Sequence, residues 1–117
     1  MEEALFRTML FDFYGELLTD KQKEYFDLHY NEDLSLAEIA QTEGISRQGV
    51  WDIIRRAEES MLRYEERTGL VARFARQREL LDRAEELAAA LLADTRGKNR
   101  AAAQELADRL QELRHGI

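Results

Sequence analysis

Arg47, Gln48, Trp51, Asp52, Arg55 and Arg56, with Ser46 directly ahead of them, hold the most usable polar chemistry in this sequence. Steps of three and four bring most of them onto one side of a helix. An arginine fork fits a guanine edge or a phosphate, and a glutamine amide fits an adenine edge. A carboxylate at Asp52 accepts only from cytosine and repels phosphate. Tryptophan beside arginine is also a common make-up for the centre of a protein interface. The plainer alternative makes the arginines solvated helix charges and Trp51 a partly buried core residue.

Other chemistries find little to use. The sequence contains no cysteine, so thiolate metal sites and disulfides are excluded. His29 and His115 are the only histidines, and no acidic cluster joins them at metal-ligand spacing. His29 fits a packing or helix-end role and His115 a helix C-terminus. The segment RGKNR around Gly97 and Lys98 lacks the glycine scaffold of a phosphate loop. The expectation is a protein without enzymatic activity or bound metal.

The candidate residues need a rigid mount, and residues 34–61 supply one: LSLAEIAQTEGISRQGVWDIIRRAEESM. Ser35 with Glu38 three residues on forms a capping box, and Leu34 and Ile39 take the staple positions around it. Leu36, Ile39 and Ala40 give a short buried face, and small Ala40 admits a second helix. Gly44 suits a tight turn that needs positive φ. Ile45 plugs the corner and Ser46 caps the next helix. Val50, Ile53, Ile54, Ala57 and Met61 recur at helical spacing and face inward. This is the pattern of a helix-turn-helix.

The remaining chain supports it. Proline is absent, glycine occurs six times, and hydrophobic residues make up 44% of 117 positions, which predicts an all-α chain with a folded core. A first helix is expected over 3–18, with Phe6, Leu10, Phe13 and Leu17 on one face and Met9 and Tyr14 widening it. Thr19 with Gln22 caps a second helix carrying Tyr25, Phe26, His29 and Tyr30, and 31–33 ends it. With the two helices of the motif, the second running to about Arg67, these give a core of four helices over residues 1–68.

Thr68 and Gly69 mark a boundary. Residues 69–117 are expected to form a C-terminal helical hairpin. Its first helix runs over 70–94, with Leu70, Phe74, Gln77, Leu81, Ala84, Ala88 and Leu91 in a seven-residue repeat broadened by Leu80 and Leu87. Gly97 breaks it, Asn99 caps the last helix, and Ala103, Leu106, Leu110 and Leu113 form that helix's stripe. A stripe this wide needs covering, by the chain's own core or by a second copy, and a homodimer is the expected cover. The arginines at 73, 76 and 78, and the cations at 96, 98 and 100, read as solvated charge before any RNA or acidic-protein contact.

The formal charge is −7, and its distribution is uneven: residues 1–68 hold 8 basic and 16 acidic side chains, net −8. The half with the helix-turn-helix would therefore repel free duplex DNA at long range. No apolar run reaches membrane-spanning length and no basic-then-apolar start resembles a signal peptide, so a cytoplasmic protein without membrane insertion is expected.

Residues 10–70, LFDFYGELLTDKQKEYFDLHYNEDLSLAEIAQTEGISRQGVWDIIRRAEESMLRYEERTGL, resemble a family of small bacterial proteins, the YlxM or p13 family. The order and spacing of FDFY, LLTDKQKEYFDLHY, DLSLAEIA, ISRQGVWD and IIRRAE carry the resemblance. That family is similar to the fourth region of sigma factors, which binds promoter DNA through a helix-turn-helix. The sigma-like pattern falls on residues 35–40, Gly44 and residues 46–56, placing Ser46, Arg47, Gln48, Trp51 and Arg55 on the recognition surface. Family genes commonly neighbour those of the signal recognition particle and its receptor. The resemblance therefore implies a regulatory or accessory factor of that targeting pathway, binding its protein or RNA component, with no enzyme activity or cofactor. A DNA-binding transcriptional regulator is the alternative. Acidity and Asp52 depart from the promoter-reading pattern, and the stretch after Leu70 matches the family less clearly.

Overall fold

The structure, a computed structural model, describes residues 2–116. Met1 and Ile117, the outer ends of the two expected segments, lie outside the described residues. The order is α1 Glu3–Tyr14, a 3-10 turn Gly15–Leu17, α2 Asp20–Tyr30, α3 Leu36–Glu43, α4 Arg47–Thr68, α5 Leu70–Asp94 and α6 Lys98–His115, with no strand among the described residues. The fold is all-α, as the composition predicts. It forms two compact units, Met1–Val71 and Ala72–Ile117.

In the first unit α1, α2 and α3 each pack on α4, which is its hub. The spacing of apolar residues on α4 explains this. Val50, Ile54, Ala57 and Met61 recur at three and four and are fully buried, and Ile53 packs against the same core. Leu10, Phe26 and Ile39 meet them from the three other helices. Each such side chain contributes roughly 1.5–3 kcal/mol by leaving water. Phe11 stacks on Phe26 with ring centroids 5.1 Å apart, and Arg7 lies 4.4 Å over the Tyr30 ring while its Nε–H donates to Glu58 at 3.2 Å.

Short local devices set the helix ends. Thr19 with Gln22, and Ser35 with Glu38, form complete capping boxes. Backbone and side-chain hydrogen bonds from Ser35 hold the Glu38 carboxyl below its ordinary value. The link between α2 and α3 is tied down by Leu34 N–H donating to Leu28 O at 2.9 Å and by His29 Nδ1–H donating to Leu34 O at 2.8 Å. His29 is thus a helix-end residue, as its position predicts.

Two expectations are corrected. The first helix ends at Tyr14, not Leu18, because the chain tightens into a 3-10 turn over Gly15–Leu17. A 3-10 turn advances three residues per turn, so the helical phase slips. The buried edge of α1 is consequently Leu10 and Tyr14, while Leu17 is 61% exposed and Phe13 lies at the surface edge. Asn99 does not cap α6. Gly97 takes that place, with φ 68° and ψ −138°, no side-chain cap bond, and Lys98 as the first helical residue. A backbone near that region is almost reserved for glycine, so the chain reverses before Asn99. On α5, Leu81 and Ala88 of the repeat are buried, while Leu70 and Leu91 are exposed in the single chain.

The end of α4 carries a polar network that sequence reading missed. Tyr14 Oη donates to Glu65 Oε1 at 2.6 Å, and the same carboxylate oxygen accepts from Val71 N–H at 2.9 Å. Tyr14 has one proton and the carboxylate can only accept, so the Thr68 hydroxyl is the donor in its 2.5 Å contact with Tyr14 Oη. Gly69, at φ 63°, ends α4, and Val71 in the next turn is fully buried in the first unit's core.

In the second unit α5 and α6 run as a helical hairpin. Arg114 forks onto Glu85 at 2.7 Å and Asp82 at 2.6 Å, and Arg100 donates to Leu92 O at 2.6 Å. The bonds to Glu85 and then Asp82 raise the Arg114 guanidinium above its ordinary value. Leu81, Ala88 and Ala103 are the buried apolar residues of this unit among the described residues. No helix is long and apolar enough to cross a membrane among the described residues.

Candidate interface on the helix-turn-helix

The two helices of the motif meet through a three-residue corner. Gly44 is left-handed, at φ 72° and ψ 29°, and its N–H donates to Ala40 O at 2.9 Å. Ile45 N–H donates to the same oxygen at 3.2 Å, which turns the chain sharply. Ser46 then starts α4, its Oγ accepting from Gly49 N–H at 3.0 Å. Lys21 on α2 lies 3.6 Å from Glu43 and buttresses the C-terminal end of α3. The acidic neighbours, Glu43 foremost, raise the Lys21 ammonium above its ordinary value.

This corner places Arg47, Gln48 and Trp51 around a shallow groove of about 530 Å³, with Leu36 on its other wall. Trp51 is half-buried, with part of its ring against the core and part lining the groove. Leu36 corrects the expectation of a buried α3 face. It is only partly buried, because the first residue of a helix sits at the open end of the groove. Its position directly after the cap was the available signal.

One turn further on, the polar residues satisfy one another. Gln48 Nε2–H donates to Asp52 Oδ1 at 3.0 Å, Arg55 Nη2 lies 3.9 Å from the same oxygen, and Arg55 Nη1–H donates to Glu59 at 2.7 Å. Arg47 and Arg56 are exposed and form no ion pair among the described residues. The seven candidates thus divide by position. Ser46 is spent on capping, Arg47, Gln48 and Trp51 share the groove, Asp52 and Arg55 belong to the ladder beside it, and Arg56 stands apart. Such a surface can hold an apolar or aromatic group against Leu36 and Trp51 while Arg47 meets an anion.

No group of three or more His, Cys, Asp or Glu side chains is placed to hold a metal among the described residues. Every buried residue is apolar or a tyrosine there.

An all-α chain with capped helices meeting at a left-handed glycine corner is a helix-turn-helix protein. The chain belongs to the family described as "Putative helix-turn-helix protein, YlxM / p13 like", whose profile matches residues 1–110. Among its relatives, a UPF0122 protein of Caldanaerobacter subterraneus subsp. tengcongensis is 56% identical over 70 residues, 60% of each chain. A UPF0122 protein of Symbiobacterium thermophilum is 51% identical over 78 residues, 67% of this chain and 73% of its own. One of Listeria innocua is 47% identical over 77 residues, 66% of this chain and 70% of its own. The matched stretch covers about three fifths of the length of the first of these relatives.

Proposed function

We propose that this chain is a non-catalytic regulatory protein that docks its α3–α4 face on a macromolecular partner, and that the partner is the protein or RNA component of the signal recognition particle. The observation that carries the docking reading is the ladder from Gln48 through Asp52 and Arg55 to Glu59. It takes up two of the donors that a groove-reading helix would direct at base edges. It also keeps a carboxylate, which repels phosphate, in the middle of that face. What stays open is the Leu36–Trp51 groove beside Arg47, which suits a desolvated contact on a folded partner. The pathway itself comes from the family resemblance. Binding acts by stabilising one conformation of the partner, which holds the catalytic centre.

The test is retention of purified particle, then of its protein alone and its RNA alone, on the immobilised chain. Wild type is expected to retain one component, and Trp51→Ala with Arg47→Glu to lose it. Retention of neither, with unchanged GTP turnover by the particle, rejects the reading.

A transcriptional regulator is the second reading. Arg47 and Arg56 favour it, since both are exposed on the second helix of a helix-turn-helix with no ion pair among the described residues. Promoter fragments titrated at low and physiological salt decide it: specific binding with a salt slope supports it, and flat non-binding ends it.

A further inference from the structure

We propose that the open apolar face of the α5–α6 hairpin is a self-association surface, and that two copies of this chain pack these faces together as a four-helix bundle.

Polar links hold the hairpin together, with Arg114 forked onto Asp82 and Glu85 and Arg100 bonded to the Leu92 carbonyl. Its apolar face is unfinished. On it Leu80, Leu87 and Leu91 of α5, and Leu106 and Leu113 of α6, are each about half exposed, from 44 to 56%. With Ala84 and Leu110 they follow spacings of four and three, the stripe of a helix that meets another helix along its length. At 100° per residue the positions on each helix fall within one arc of about 60°.

The same face carries hollows as well as ridges. A cleft of about 400 Å³ lies where Leu80, Leu81 and Ala84 face Leu110 and Leu113. A second, of about 290 Å³, lies farther along the seam between Leu91 and Leu106, over Ala103. Leucine ridges beside alanine-floored hollows are what a twofold interface requires, because one patch must supply both knob and hole.

Charge and area single out a second copy as the occupant. No ionised residue interrupts the stripe, and residues 72–117 hold 9 basic and 8 acidic side chains, net +1. Two hairpins therefore meet without net repulsion, whereas two copies of residues 1–71, each net −8, do not. The half-exposed leucines would withdraw roughly 400–500 Å² per copy, the size of a patch with a function. The stems of flanking Arg and Glu residues bring the surface towards the roughly 800 Å² per partner of a stable interface.

The experiment is sedimentation equilibrium of the full chain from about 1 to 100 μM, with circular dichroism of each variant. The expected mass is twice the 13.7 kDa of one chain. Leu87→Glu with Leu106→Glu is expected to give a monomer of unchanged helicity, while Leu62→Glu, on the first unit, leaves the dimer intact. Should the double variant lose helicity, Leu87→Gln alone decides, with a dimer dissociation constant raised at least about tenfold. A wild type that stays at the mass of one chain overturns the proposal, whether the face is covered by residues 1–71 or by an unrelated helix. So does a dimer that all three hairpin substitutions leave unchanged.

Discussion

The side-chain amide of Gln48 is fixed on the carboxylate of Asp52, one turn along the second helix of the motif, at 3.0 Å. Gln48 therefore has one amide N–H committed to Asp52 and keeps its second N–H and its carbonyl oxygen for whatever approaches. The carboxylate that orients it also draws Arg55 to 3.9 Å.

Asp52→Asn separates the two kinds of partner. At about 5 Å in water the lost charge is worth about 0.8 kcal/mol to a nearby phosphate. A nucleic acid would bind roughly fourfold more tightly at low salt, by fluorescence anisotropy. A protein partner that sets a cation opposite Asp52 would bind more weakly. The thermal midpoint is expected to hold, since exposed pairs of this kind contribute little.

Tyr14→Phe removes the hydroxyl between Glu65 and Thr68 while keeping the ring. The expected loss is about 1–2 kcal/mol in urea unfolding, with an unchanged slope. An unaltered midpoint would show that the network contributes nothing.

Tyrosine ionisation sets an alkaline limit. Burial, followed by the hydrogen bond to Glu65, holds Tyr14 above the ordinary 10.0, and burial likewise raises Tyr25 and Tyr30. The folded state thus keeps these protons after the unfolded chain has released them. Stability is fully present below 10.0 and falls as pH rises through the folded values. Urea midpoints at about pH 8 and about pH 11 should differ in that sense, with tyrosinate absorbance appearing late in the folded protein.

Gly44→Ala should destabilise by about 1–2 kcal/mol through its left-handed backbone alone. An added Cβ there meets nothing within 4 Å, so strain and not collision is the cause. Gly44→Asn, which tolerates that conformation, should recover part of the loss. Equal midpoints for the two variants would contradict this explanation.

Val71→Ala should cost about 2 kcal/mol by opening a hole in the first unit's core. A fragment ending at Thr68 should be less stable than one ending just after Val71, because it also loses the N–H that Glu65 accepts.

Much of the helix-turn-helix was legible because its determinants are neighbours in the chain. A capping box needs only residues three apart, and a left-handed corner needs only glycine after a buried stripe. Ser35, Gly44, Ser46 and the inward residues of α4 are all of this kind. Tyr14 and Glu65 stand 51 residues apart, so no local pattern announces their bond. Val71 escaped for the same reason, since the repeat along α5 weights Leu70 and Phe74. The candidate surface was legible as a list of residues on one helix. Its internal pairing was not, because a sequence does not say whether Gln48 faces outward or bends onto Asp52.

That α1, α2 and α3 all rest on α4 has a consequence for the nascent chain. Within the first unit the ribosome delivers the hub last, so the three earlier helices leave the exit tunnel with only one another to rest on, as Phe11 does on Phe26. Their apolar faces are expected to be fully covered only once Met61 and Val71 have emerged, which makes protease sensitivity of the nascent chain the quantity to follow.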